Sequence, residues 1–389
     1  MENTKIEIAS ELKERIIPFW NKLIDEENGG FYGEVDFALN VDKEALKGTT
    51  LNSRILWFYS KTYKQLGDKE LLQKAHHAYE FLMNKCIDKE YGGLYWTVDY
   101  KGSPLDTTKS TYNISYAIYA LSAYYEVTDN EAALSCAIEL FELIETKCRD
   151  EVGYLDSFTR EFLAGGNDML SENGVVAERT MNTLLHVFEG YSALYEVSGD
   201  AKVEKCMRKI VALFKEKIYN DELRRQEVFF DKNYNSIIDL QSYGHDIEAA
   251  WLFDWGCGLL KDEELSREIS AITSKLVACV YDEAFTEKGL IGECDKGVKS
   301  GNRAWWPQTE AVIGFANEWQ KDPTKTKYSD AVVAMWSFIK EYMLYRQENG
   351  EWYAELDSNY VPMEEKNTVD IWKCPYHNGR MCLEIIKRI

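Results

Sequence analysis

At 28–35 the chain reads N-G-G-F-Y-G-E-V, and the same cadence returns at 91–98 as Y-G-G-L-Y-W-T-V. Glycine supplies a turn and the apolar–polar alternation after it suits a strand, so each segment reads as a short β-hairpin. Fainter copies follow: E-V-G-Y-L-D-S-F (151–158), E-K-G-L-I-G-E-C (287–294) and N-G-E-W-Y-A-E-L (349–356). With Gly30, Gly93, Gly153, Gly289 and Gly350 as markers, the intervals are 63, 60, 136 and 61 residues. The third interval is roughly double the others, so one copy lacks its glycine. R-R-Q-E-V-F-F-D-K-N-Y-N (224–235) is the candidate.

Between these segments the apolar spacing changes to i, i+3, i+4, i+7, the helical period. It predicts helices near 5–24, 49–66, 69–87, 111–127, 130–147, 176–198, 201–218, 243–260, 263–281, 303–320, 326–346 and 375–388. Two helices and a hairpin, repeated six times, must bury their faces on neighbouring pairs, and six pairs can close on themselves. The expected fold is all-α, an (α/α)6 barrel of six helical hairpins with short β-hairpins in the connecting loops. It forms one catalytic domain over 1–389, although a chain of 389 residues would by length alone suggest two or three.

Numbered in chain order, the even helices carry the unusual residues. Arg54 lies on the second, Tyr112 on the fourth, His186 on the sixth, His245 on the eighth, Trp305 and Trp306 on the tenth and His377 on the twelfth. Alternate helices form the inner ring of such a barrel, so these side chains are expected to meet in one cavity. Thr49 or Thr50, Ser110 and Ser242 suit helix N-caps, and Pro375 suits a first helical position. The positive end of a helix dipole disfavours a protonated imidazole, so His245 and His377 are expected to be neutral, as a general base must be. His186 is expected deeper. A lone histidine near a helix start is more often a packing residue; three of only five on alternate helices is what favours chemistry. His76 and His77, on the third helix, read as surface residues. Glu248 shares a helix face with His245 and could orient it, or could instead partner Arg54, since a buried arginine needs a carboxylate.

Composition narrows the function. A net charge of −21 without a basic stripe argues against nucleic acid. Nine scattered cysteines without a C-x-x-C pair read as reduced thiols in a cytoplasmic protein. The N-terminus has no signal-peptide pattern, and no apolar run approaches the roughly 18–20 residues of a membrane span. Three histidines and a glutamate could hold zinc, but no H-x-x-x-H or H-E-x-x-H spacing supports it, so no metal is expected. Neither G-x-x-x-x-G-K-[ST] nor G-x-G-x-x-G after a strand occurs, so no nucleotide cofactor is expected either. A monomer is the expectation, because ring closure leaves no obligatory edge.

Several longer motifs carry a family resemblance. P-F-W-N-K-L-I-D-E-E-N-G-G-F-Y-G-E-V-D, N-S-R-I-L-W-F-Y-S, T-Y-N-I-S-Y-A-I-Y-A-L-S, E-R-T-M-N-T-L-L-H-V-F-E, S-Y-G-H-D-I-E-A-A-W-L and W-K-C-P-Y-H-N-G-R-M-C together resemble the cellobiose 2-epimerases of the N-acylglucosamine 2-epimerase superfamily. The resemblance runs from about residue 10 to 388 and includes the H-x-x-R of His377 and Arg380. It departs at Asn52, where family members often carry histidine, but Arg54 is kept. It implies cofactor-independent C2 epimerisation of the reducing-end glucose of β-1,4-linked disaccharides: cellobiose to glucosyl-mannose, lactose to epilactose. By position, His245 and His377 would form the acid–base pair, with His186 and Arg54 beside the reacting oxygens. Trp306 and Trp372 would stack on sugar rings, and Tyr112, Asn182, Glu248 and Glu310 would line the pocket. The rivals are an N-acylglucosamine 2-epimerase or mannose isomerase of the same superfamily, a glycoside hydrolase using two of Glu172, Asp246, Glu248 and Glu310, and a sugar-binding module without catalysis.

Overall fold

A computed structural model describes residues 1–165, 174–346 and 350–389. Among them are twelve long helices: α1 (2–21), α2 (Thr49–Leu66), α3 (69–86), α4 (Thr111–Thr128), α5 (Glu131–Lys147), α6 (Met181–Ser198), α7 (201–218), α8 (Tyr243–Leu259), α9 (Glu263–Glu283), α10 (Trp305–Lys321), α11 (326–343) and α12 (Tyr376–Arg388). The even helices pack in the order α2, α4, α6, α8, α10, α12 and back to α2, closing an inner ring. Each odd helix from α3 to α11 packs outside the even helix before it, and α1 packs on α12, giving an (α/α)6 barrel.

The sequence explains which ring each helix joins. Outer helix α7 buries Val203, Cys206, Met207, Ile210 and Val211, one stripe at helical spacing, and turns its charged residues outward. Inner helix α4 buries every residue from Thr111 to Tyr124, because neighbours cover it on all sides. The apolar core lies between the two rings. Turns of two residues join α2 to α3, α4 to α5 and α6 to α7. Gly67, Asp129 and Gly199 take the left-handed conformation that ends the first helix, and Asp68, Asn130 and Asp200 cap the next. These turns fold each of the three pairs back on itself, and ladders between the segments entering successive inner helices gather the inner N-termini at one mouth.

Short β-ribbons surround that mouth. Each repeat has a local hairpin: Ile24 with Phe31, Ile87 with Leu94, Arg149 with Tyr154, Tyr219–Asn220 with Arg225–Gln226, Phe285–Thr286 with Gly289–Leu290, and Leu344 with Trp352. The copy without glycine is therefore real and begins a few residues earlier than expected. Arg224, at φ +52°, takes the left-handed place that Gly30 and Gly93 take elsewhere. The residues entering each inner helix then pair with the hairpin arm of the next repeat: Lys47–Gly48 with Thr97–Val98, Lys109–Ser110 with Ser157–Phe158, Arg179–Thr180 with Phe229–Phe230, Leu240–Ser242 with Glu293–Asp295, Arg303–Ala304 with Glu355–Leu356. The sixth join is Val369 with Val35, last repeat to first.

The same ladders shorten one expected helix. Val175, Val176 and Ala177 continue the apolar pattern of α6, but the Glu178 amide donates to the Phe230 carbonyl and Arg179–Thr180 form a strand. Pro375 precedes the first helical residue of α12, Tyr376. Among the described residues no helix is long and apolar enough to cross a membrane.

Candidate functional site

Arg54, in the second turn of α2, is buried. Its guanidinium donates to the hydroxyls of Tyr112 (2.6 Å) and Tyr116 (2.8 Å) on α4 and to the Trp372 carbonyl (3.1 Å). It also lies over the Tyr116 ring at 4.2 Å and the Tyr376 ring at 4.9 Å, a cation–π cradle. None of the described carboxylates pairs with it, which corrects the expectation that it needs one: phenol oxygens and aromatic faces take that role. Its Nε is buried without a partner among the described residues.

The Tyr116 hydroxyl is 3.1 Å from His186 Nδ1, and that nitrogen is 2.8 Å from the Glu189 carboxylate one turn along α6. His186 is buried, as its depth along the helix implied. Glu189 also accepts from Tyr376 and Arg380, both at 2.5 Å. Burial alone would raise its pKa, yet the Arg380 guanidinium, His186 and Tyr376 together hold it down to about 2.

Arg380 is the hub beneath the site. Besides Glu189 it donates to Tyr376, Glu248 and Glu310, all essentially without solvent exposure. Glu310 is surrounded by donors: Arg380 at 2.7 Å, His377 Nδ1 at 2.8 Å and Trp251 Nε1 at 2.9 Å. An acceptor in this company fixes the proton of His377 on Nδ1 and leaves Nε2 bare. Burial pulls the His377 pKa well below the usual imidazole range; Glu248 opposes this and Arg380 reinforces it. Burial also raises Glu310, against the pull of Arg380.

His245, half-buried in the first turn of α8, has Nδ1 2.7 Å from the Ser242 hydroxyl. Burial, with His186 and His377 adding repulsion, lowers its pKa to about 3. The Trp306 ring is 4.6 Å from the His245 ring and 5.7 Å from that of His377, so one indole borders both imidazoles. Trp372 stands at the mouth, edge-on to Trp96 (5.6 Å) and 6.1 Å from Tyr112. Beside it opens a cleft of about 580 Å³ lined by Trp96, Trp372, Leu46, Leu105, Asp106 and Asp370, among others.

The structure thus brings His186, His245, His377, Arg54, Tyr112, Glu248, Trp306, Glu310 and Trp372 into one connected group on the inner ring and its mouth. Asn182, half-buried in the first turn of α6, keeps a buried Oδ1 without a partner among the described residues. Glu248 turns to Arg380 rather than to His245 or Arg54. Of the carboxylates a hydrolase would use, Glu172 lies outside the described residues. Asp246 is held by Gln226 and Gln241, while Glu248 and Glu310 are held by Arg380. Glu248, Glu310 and His377 offer ligand atoms within 4.8 Å of one another, but the Arg380 guanidinium already bridges the two carboxylates. His76 is exposed; His77 is partly buried and holds the Gly30 carbonyl at 2.9 Å. Sequence reasoning missed Glu189, Tyr116, Tyr376 and Trp251, and noted Arg380 only as part of a motif. Helical spacing held the signal: Glu189 follows His186 by three, Arg380 follows His377 by three, and Tyr116 follows Tyr112 by four.

Comparison with known proteins adds kinship. The N-acylglucosamine 2-epimerase (GlcNAc 2-epimerase) family model matches residues 30–377. Cellobiose 2-epimerase of Ruminococcus albus is 47% identical over 382 residues, covering 98% of each chain. The crystal structure of a sugar epimerase from a ruminal bacterium superposes with a TM-score of 0.97 at 46% identity, covering 99% of this chain and 98% of that one. Cellobiose 2-epimerase from Bacillus thermoamylovorans B4167 gives 0.97 at 40% identity over the full length of both.

Proposed function

The chain belongs to the N-acylglucosamine 2-epimerase family, and on that premise we propose that it is a cellobiose 2-epimerase, one catalytic domain inverting C2 of the reducing-end glucose of β-1,4-linked disaccharides. Cellobiose becomes glucosyl-mannose and lactose becomes epilactose. The observation that carries the reading is the pair of imidazoles, His245 and His377, bordering one indole on the inner ring beside a buried arginine.

The chemistry asks for this set. C2–H is acidic only once the ring has opened to the aldehyde, and its removal gives an enediolate. Return of a proton to the opposite face inverts the centre. His377, with Nδ1–H committed to Glu310, presents Nε2 to take the C2 proton. His245 returns to the other face a proton it has first taken up from water, and His377 then releases its own to water. Such proton transfer contributes about 10²–10⁴-fold each. Arg54, held by two phenols, meets the developing oxyanion as a pre-oriented cation with His186 beside it. Trp306 supports the reacting sugar, and Asn182 lines the same pocket. Trp372, Tyr112 and the adjoining cleft receive the second ring.

The test is NMR of the protein with cellobiose in D₂O. Glucosyl-mannose deuterated at C2 is expected. Free glucose would move the chemistry to the carboxylates, and turnover only of N-acetylmannosamine or mannose would overturn the disaccharide.

A further inference from the structure

Ser242 occupies the N-cap of α8, where a serine hydroxyl ordinarily accepts from the backbone N–H two or three residues on. It makes no such cap bond. Its hydroxyl lies instead 2.7 Å from His245 Nδ1, and the residue is 2% exposed. By contrast Thr180, at the equivalent position of α6, does cap its helix through the Thr183 amide. The backbone around Ser242 is fixed on both sides. Leu240–Ser242 pair with Glu293–Asp295, and the Gln226 side-chain Nε2, which also reaches Asp246, donates to the His245 carbonyl at 3.1 Å. The hydroxyl is therefore held where it can act on the imidazole alone.

The two imidazoles are consequently supported by different chemistry. Glu310, as the carboxylate paired with Arg380, accepts from Nδ1–H, so His377 is held in one neutral tautomer. A hydroxyl can accept or donate. When it accepts from Nδ1–H, His245 Nε2 is bare and can take a proton. When it donates to a bare Nδ1, Nε2 carries hydrogen and can bond to a sugar oxygen. We propose that Ser242 is the positioning residue of His245, rotating its hydroxyl so that this imidazole alternates between the two tautomers while His377 stays in one. The inference rests on the reading of His245 as an acid–base group. The titratable groups acting on that imidazole are His186 from α6 and His377 from α12.

The experiment is long-range ¹H–¹⁵N NMR of histidine-labelled protein, with His245→Asn and His377→Asn to assign signals, alongside kinetics of Ser242→Ala and Ser242→Thr on cellobiose. In the unaltered protein His377 is expected to show a pure Nδ1–H pattern and His245 averaged nitrogen shifts. Ser242→Ala should displace the His245 shifts and lower kcat about tenfold or more with KM little changed, and Ser242→Thr should restore both. A single pure tautomer at His245 in the unaltered protein overturns the inference even should Ser242→Ala fail to fold. So does a Ser242→Ala protein with unchanged shifts and kcat. Loss of C2 deuteration in the unaltered protein would overturn the epimerase reading itself, and with it this inference.

Discussion

At the scale of single residues, the proposed mechanism separates charge from acid–base work. Arg54 keeps its positive charge among phenols and rings, so the enediolate oxygen would meet a donor already in place. Arg54→Ala is expected to lower kcat/KM by about 10²–10³-fold, roughly 2.7–4 kcal/mol of barrier, in steady-state kinetics on cellobiose. The pH behaviour follows from the depressed imidazoles. Unfolded histidine protonates near about 6.5, whereas folded His245 does so near 3 and His377 well below its usual value. The unfolded state thus takes up protons that the folded state refuses. The stabilising contribution is complete above that unfolded value and is lost as pH falls below it. Activity depends on the folded values, so it should persist on the acid side until the protein melts. Profiles of kcat/KM and Tm against pH should show activity lost together with the fold; a kinetic limb near pH 6.5 in fully folded protein would contradict the neutral pair. His186, His245 and His377 were legible from their place on alternate helices. Ser242 was legible only as a cap, because its hydroxyl's choice between backbone and imidazole depends on where the ring turns.

At the scale of elements, the repeat sets both mouth and floor. The two-residue turns ending in Asp68, Asn130 and Asp200 lie at the end opposite the site and act only on stability. Asp200→Ala removes the bond to the Lys202 amide and is expected to cost about 0.5–2 kcal/mol in denaturant unfolding with kcat unchanged. The helix order and most helix limits were legible because apolar spacing distinguishes a one-faced outer helix from an inner helix buried on every side. Two features escaped. Four outer helices contain a widened π turn, at Leu12–Ile16, Leu82–Cys86, Phe214–Ile218 and Ile339–Met343, and no residue type marks such a turn. The strand at Arg179–Thr180 looked helical because a ladder to a segment some fifty residues later takes up its hydrogen bonds, which no local window reports.

At the scale of the whole molecule, one buried guanidinium joins α6, α8, α10 and α12 through Glu189, Glu248 and Glu310. Removing a partner from such a group strands the remaining charges. Arg380→Met is expected to lose about 3–5 kcal/mol in equilibrium unfolding and to abolish turnover, while a conservative change on an exposed outer face should do neither. The ring itself was legible from six repeats, but its clasp was not. Nothing in N-G-G-F-Y-G-E-V announces that Val35 bonds to Val369. That clasp has a consequence for biogenesis. Synthesis proceeds from the N-terminus, and helix pairs of local contact can stack as they emerge. Val35 must nevertheless wait for a partner that leaves the ribosome 334 residues later (369 − 35). The nascent protein is therefore an open arc whose sugar-facing wall stays incomplete until the final helix arrives, and pulse-labelled hydrogen exchange during translation should find the Val35 amide among the last to be protected.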